Sequence, residues 1–153
     1  MKSRQDRLKV LIDTSFILPT LGIDVGEEVL RGLRQLADSK CEIWYSQFSI
    51  LESLWTAARL LGPKFKEERF ATGIRSIIEG GAYRKVQEDS RVCIEALRIY
   101  AMGHRDMVDN ILYADSVFLN LKLLSTDNEL KDLVTRKGLT NTIITPKELQ
   151  VSE

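Results

Sequence analysis

Val10-Leu11-Ile12-Asp13-Thr14-Ser15 and Leu123-Leu124-Ser125-Thr126-Asp127 decide the fold. Each is a short apolar run followed by turn-forming residues, the pattern of a buried strand in a parallel sheet, and each ends on an aspartate. Parallel sheets bind ligands in the crevice beyond the carboxyl ends of their strands. Two acids leaving two such strands would share that crevice, and water-exposed carboxylates gathered there suggest a hard metal ion.

Working outward, the segment 25–37 puts Val29, Leu33, Leu36 and Ala37 on one helical face, and Glu42-Ile43-Trp44-Tyr45 reads as a second strand. Ser46 or Ser49 can cap the next helix, whose apolar positions are Leu51, Leu54, Trp55, Ala58 and Leu61; Gly62-Pro63 ends it. A helix is expected over 64–79 with Phe70, Ile74, Ile77 and Ile78 inward, closed by Gly80-Gly81. Another spans 88–102, using Val92, Cys93, Ala96, Leu97 and Tyr100, up to the break at Gly103-His104. Arg105 or Asp106 opens a helix to about 121 with Val108, Ile111, Leu112 and Leu119 among its apolar positions. A strand over 122–125 follows, then a helix over 128–137 stopped by Gly138, then Thr142-Ile143-Ile144-Thr145 halted by Pro146.

Strands alternating with helices predict an α/β fold, a parallel sheet covered by helices on both faces. Residues 1–153 read as one domain, with a charged tail over about 1–7. The helices over about 64–102 read as a lobe inserted between the second and third strands, set over one side of the crevice.

The formal net charge of +0 gives no long-range attraction to nucleic acid or membranes, so any such contact needs a local patch. The stretch 64–105 offers one: nine Lys and Arg, including Arg84, Lys85 and Arg105, stand against six Asp and Glu. Ion-paired, solvated helix faces account for the same charges equally well. Tyr83, beside Arg84-Lys85, could stack on a base, although burial of the ring is the stronger expectation. Cys41 and Cys93 match no metal-ligand spacing and no disulfide framework, and read as reduced, packed thiols. No signal peptide or membrane span is apparent, which predicts a cytoplasmic protein. His104, the one histidine, is expected in a structural turn, and it lacks the partners for Ser/His/Asp or Cys/His catalysis. No Gly-rich loop with a lysine appears, so nucleoside triphosphate binding is not indicated.

Two further acids bear on the crevice. Glu52 lies in the first turns of the helix after the second strand and points toward the carboxyl edge of the sheet. Asp109 lies in the first turn of the helix before the third strand, and spacing alone leaves open whether that turn reaches the same edge. If Asp13, Glu52, Asp109 and Asp127 converge, about four negative charges need a cation to stay ionised together. Oxygen-only donors select Mg²⁺ or Mn²⁺, which support in-line attack on phosphorus. Each acid alone is more readily a helix cap or a solvated surface acid than a metal ligand, and Asp127 before Asn128-Glu129-Leu130 suits a helix N-cap.

Together, Val10-Leu11-Ile12-Asp13-Thr14-Ser15, Ser49-Ile50-Leu51-Glu52, Asp109-Asn110-Ile111-Leu112-Tyr113-Ala114 and Leu123-Leu124-Ser125-Thr126-Asp127 resemble a PIN domain in order and spacing. That family is the metal-dependent ribonuclease fold of VapC-type toxins and RNA-processing enzymes. The resemblance implies a central parallel sheet of four to five strands, with the acids converging at its carboxyl edge. It implies a metal-dependent endoribonuclease whose catalytic and metal-site acids are Asp13, Glu52, Asp109 and Asp127. Ser15 matches a small polar residue that supports the first aspartate, and Asp106 is an outer ligand or an N-cap. It further implies an RNA substrate, a homodimer and, for toxin members, an antitoxin. Asp115 departs from the family, standing where a small neutral residue is usual, and is expected to be an exposed acid or an extra site charge. The length of 64–102 departs from compact toxins. The alternatives are a non-catalytic PIN-like module that binds RNA or protein, and an aspartyl phosphotransfer enzyme with Asp13 as nucleophile. The latter lacks the second aspartate, since Ser15 stands in its place.

Overall fold

The computed structural model describes residues 7–149, so the tail expected at about 1–7 lies almost wholly outside the described residues. Five strands form one parallel sheet in the order β3-β2-β1-β4-β5. They are β1 (Lys9–Ile12), β2 (Glu42–Tyr45), β3 (Tyr83–Lys85), β4 (Lys122–Leu124) and β5 (Ile143–Ile144). The chain runs outward from β1 through β2 to β3, and the second half fills the other side with β4 and β5. The reversal of direction puts the switch point between β1 and β4, where a crevice opens beyond the strand ends.

Side-chain alternation on β1 feeds two cores. Val10 and Ile12 pack with Phe16, Leu36, Ile77 and Leu149 on one face. Leu11 packs with Ile99, Leu112, Leu123 and Leu133 on the other. The first core takes α1 (Glu27–Asp38), α3 (Glu67–Ile78) and α7 (Pro146–Leu149); the second takes α4 (Ser90–Ala101), α5 (Met107–Phe118) and α6 (Asn128–Arg136). Burying both faces is why β1 and β4 read as continuous apolar runs. Helix α2 (Gln47–Arg59) follows β2 and packs on α5 and on the 3-10 turn Thr14–Phe16.

The single α/β domain with a helix-flanked parallel sheet is as expected, and the segment 64–102 corrects one part of the reading. It is not a helical lobe but α3, β3 and α4, and its strand extends the sheet at the β2 edge. Tyr83-Arg84-Lys85 carries no apolar run, because an edge strand with exposed Arg84 and Lys85 has little to bury. Helix faces also differ. Alpha-2 buries Ser49, Ser53 and Ala57, while Leu51, Leu54, Trp55 and Leu61 are exposed. Ile78 and Leu97 are likewise exposed, and Cys93 is an exposed thiol rather than a packed one. Pro146 does end β5, and it then supplies the first residue of α7, where its missing N–H costs nothing. No helix among the described residues is long and apolar enough to cross a membrane.

The seat of α3 generates a test of the packing. A Cβ at Gly73 would collide with the Thr20 carbonyl in the 3-10 turn Leu18–Leu21. Gly73→Ala is expected to lower stability by about 1–3 kcal/mol, read as a fall in Tm of several degrees. An unchanged Tm would mean that α3 does not sit this close to the turn.

Candidate metal centre

Each acid reaches the crevice by a local rule of chain geometry. Asp13 leaves β1 with its N–H donating to the Leu124 carbonyl (3.2 Å), and its Oδ1 accepts from the Ser15 N–H (3.0 Å) as N-cap of the first 3-10 turn. Ser46 caps α2, and Glu52 follows in that helix's second turn. Asp106 caps α5 by accepting from the Asp109 N–H (3.1 Å). Asp127 caps α6 through Oδ1, which accepts from the N–H groups of Glu129 (2.9 Å) and Leu130 (3.4 Å).

These side chains meet in an open cleft of about 190 Å³ lined by Asp13, Thr14, Ser15, Glu52, Asp106, Asp109, Thr126 and Asp127. The turn carrying Asp109 therefore does reach the edge shared by the other acids. Capping and pocket lining are not alternatives for Asp106 and Asp127; each does both. Ser15 lines the cleft, and its contact with Asp13 is made by the backbone N–H.

Crowded carboxylates respond as electrostatics requires. Burial, joined by the Glu52 charge, pushes Asp13 up to about 7 against the opposing pull of the Ser125 hydroxyl and the Ser15 and Phe16 N–H groups. Burial and the Asp106 charge raise Glu52. Asp109 rises to about 9 through burial, its hydrogen-bond contact with Asp127, and the charges of Asp106, Asp13 and Asp127. At Asp127 burial acts upward, but the Asp109 contact, two backbone N–H groups and His104 outweigh it and hold the carboxyl below its ordinary value. Asp109 and Asp127 thus titrate as one pair, whose contact favours a single proton shared between them.

His104 is not merely a turn residue. It is buried, with Nδ1 2.7 Å from Asn110 Oδ1 and Nε2 3.2 Å from Asp127 Oδ2. The Asn110 amide nitrogen donates back to the His104 carbonyl (2.8 Å), which sets which end of the amide faces the ring. Asn110 is fully buried and holds His104 behind Asp127, a support that sequence reading missed. Its only trace in the sequence is that His104 and Asn110 bracket the start of α5. His104, Asp127 and Glu129 also place one ligand atom each within 4.8 Å of one another, a mixed nitrogen and oxygen trio sharing Asp127 with the cleft.

Other expected residues lie elsewhere. Arg84 pairs with Glu42 (3.6 Å) and lies over the Trp44 ring; Arg105 lies over Tyr100 and donates to its hydroxyl (3.2 Å). Lys85 is exposed on β3, and none of the three lines the cleft. Asp115 is neither an exposed acid nor a site charge: it is fully buried and outside the cleft. Position on α5 explains this, since Asp109 opens the helix at the sheet edge and Asp115 lies in its buried middle.

Without a cation, these acids make stability depend on pH. Asp13 and Asp109 stand above the ordinary carboxylate value, so the native state keeps protons that the unfolded chain has lost. Native stability in chelator is therefore expected to fall as pH rises through about 7 and on toward about 9. Thermal melts check this, with Asp109→Asn flattening the upper part of the decline. A rise in stability over that range would contradict the described pocket.

The PIN domain model of protein families matches residues 10–135, which takes in β1 through α6. A sequence search of curated proteins found no match. Among solved structures, VapBC2 from Rickettsia felis bound to a promoter DNA fragment is similar at TM-score 0.62 and 10% identity, over 90% of this chain and 98% of that one. A toxin-antitoxin complex from Klebsiella pneumoniae is similar at TM-score 0.58 and 13% identity, over 90% and 97%. FitAcB from Neisseria gonorrhoeae is similar at TM-score 0.57 and 14% identity, over 90% and 98%. At such identities the likeness speaks for the fold, while the family model covers most of the sequence: the chain belongs to the PIN domain family.

Proposed function

We propose that this protein is an endoribonuclease dependent on Mg²⁺ or Mn²⁺, acting as the toxin of a toxin–antitoxin pair. PIN domains are generally nucleases and typically use a divalent metal. The observation that carries the reading is the convergence of Asp13, Glu52, Asp109 and Asp127 on one solvent-open cleft. Its donors are all oxygen, which suits a hard divalent ion, and the Asp109–Asp127 contact is a pair of carboxyls that a cation would relieve of its proton. The four acids would hold the ion, with Ser15 steadying Asp13 and Asp106 at the outer edge.

The ion, when bound, supplies Lewis-acid polarisation of the phosphodiester. The chain's own part is to gather four carboxylates around one cleft. Asp13 is held by the β1–β4 ladder and the Ser15 N–H, Asp127 by its helix cap and by His104. Arg84, Lys85 and Arg105 would grip RNA phosphates away from the reacting bond. The toxin assignment is supported by likeness to a structure described as a toxin-antitoxin complex. An antitoxin and a second copy of this chain are the protein partners this reading brings with it, and the cytoplasm is the compartment.

The direct test incubates the protein and Asp13→Asn with end-labelled RNA in Mg²⁺, Mn²⁺ or chelator. Metal-dependent cleavage that drops at least about 100-fold in the variant is expected. RNA binding without cleavage, unaffected by chelator, would favour the non-catalytic module instead. Calorimetric titration with Mn²⁺ near neutral pH is expected to release about one proton per ion, seen as an enthalpy that varies with buffer. His104→Ala should weaken Mn²⁺ affinity or turnover about 10- to 100-fold by freeing Asp127; an unchanged affinity and rate would remove His104 from the site.

A further inference from the structure

Asp115 is fully buried in the middle of α5, and neither of its carboxyl oxygens has a hydrogen-bond donor. Buried polar groups are almost always satisfied, so this one requires an explanation. The Glu88 carboxyl, in the segment between β3 and α4, lies within hydrogen-bonding reach of it. Glu88 in turn accepts from the Ser46 hydroxyl (2.5 Å) and from the Gln47 side-chain amide (3.5 Å). Ser46 is the N-cap of α2, the helix that carries Glu52. A chain of polar contacts thus runs from the middle of α5 to the start of α2.

The surroundings offer no counter-charge. Asp89 adds a further negative charge, and Arg91 is engaged with it at 2.8 Å and lies over the Phe118 ring. The buried residues are Val92, Ala96 and Ile99 on α4, and the uncharged Ser49, Ser53 and Ala57 on α2. Leu123 and Leu124 are those of β4. Among the described residues, no cation acts appreciably on the Asp115 carboxyl. An ionised carboxylate here has nothing to offset its lost hydration, whereas a proton held between two carboxyls removes a charge and supplies the missing donor together.

We propose that Asp115 and Glu88 share one proton, and that this carboxyl pair clamps the middle of α5 to the start of α2. The clamp's bearing on Asp109 and Glu52 rests on the function proposed above; the pair itself does not. Burial, then the Glu88 charge and contact and the Asp89 charge, push Asp115 up to about 8, in keeping with a proton retained at neutral pH. Between the ordinary value and about 8 the native state holds a proton that the unfolded chain has released, so this pair makes stability fall as pH rises through that window. Past it Asp115 is ionised against the Glu88 charge and the clamp opens.

The test needs neither RNA nor metal. Native protein, Asp115→Asn and Glu88→Gln are melted in chelator from about pH 6 to about pH 9. The cleft acids titrate over the same range in all three, so the readout is each variant's Tm minus the native Tm. The Asp115→Asn difference is expected to climb with pH up to about 8 and then level off. Infrared spectra at neutral pH are expected to show protonated-carboxyl absorption in the native protein and in Asp115→Asn, with a native-minus-variant difference band from Asp115 that fades at alkaline pH. If Asp115→Asn does not fold, carbon-13 labelling of aspartate in an Asp13→Asn, Asp109→Asn variant, which leaves Asp115 as the one buried aspartate among the described residues with a raised value, still shows whether it is protonated. A pH-independent Tm difference overturns the proposal, as does an ionised Asp115 at neutral pH. Metal that survives chelation in the native protein and is absent from Asp115→Asn also overturns it, in favour of a cation between the carboxyls.

Discussion

The bond from the Asp13 N–H to the Leu124 carbonyl, 3.2 Å long, is the contact on which the site depends. It is the last link between β1 and β4 and sets the depth at which Asp13 leaves the sheet relative to Ser125 and Asp127. A shift of one residue would turn Leu11 into the core that holds Val10 and Ile12, and those two into the core that holds Leu11. Both cores are closed, so the register has no freedom. Apolar packing thereby holds in place a cluster of like charges that would otherwise separate.

The helices extend the same logic. Glu52 and Asp109 reach the cleft because α2 and α5 begin at the carboxyl edge, each opened by a capping side chain, Ser46 and Asp106. His104 and Asn110 then hold Asp127 from behind. The support and Asp13 are buried and hydrogen-bonded, while the cleft they line opens to solvent, so the site is held at its base and open at its mouth.

What was legible in the sequence follows from burial. β1 and β4 announce themselves because both faces are covered and, after an exposed lysine at the start of each, every side chain is apolar, so the aspartates that follow stand out with them. β3 was invisible because an edge strand of Tyr83, Arg84 and Lys85 has no such requirement. Alpha-2 misled in another way: its apolar stripe of Leu51, Leu54 and Trp55 faces outward, and small residues face α5. The approach of Asp109 to Asp127 depends on how α5 docks, which spacing does not encode and which came only with the family resemblance. The contacts His104–Asp127 and Asp115–Glu88 join residues far apart in the chain, so no local pattern carries them.

The dual role of the capping acids has an electrical consequence. Asp106 and Asp127 stand at the starts of α5 and α6, so the positive ends of two helix dipoles point into the acidic cleft. Each dipole end is equivalent to roughly half a positive charge, so two of them offset about one of the carboxylates. That fraction belongs to the backbone and cannot be chelated, titrated or washed away. The cleft is therefore never a bare cluster of anions. Its remaining negative charge is a standing field that draws in divalent cations and repels a polyanion arriving without one.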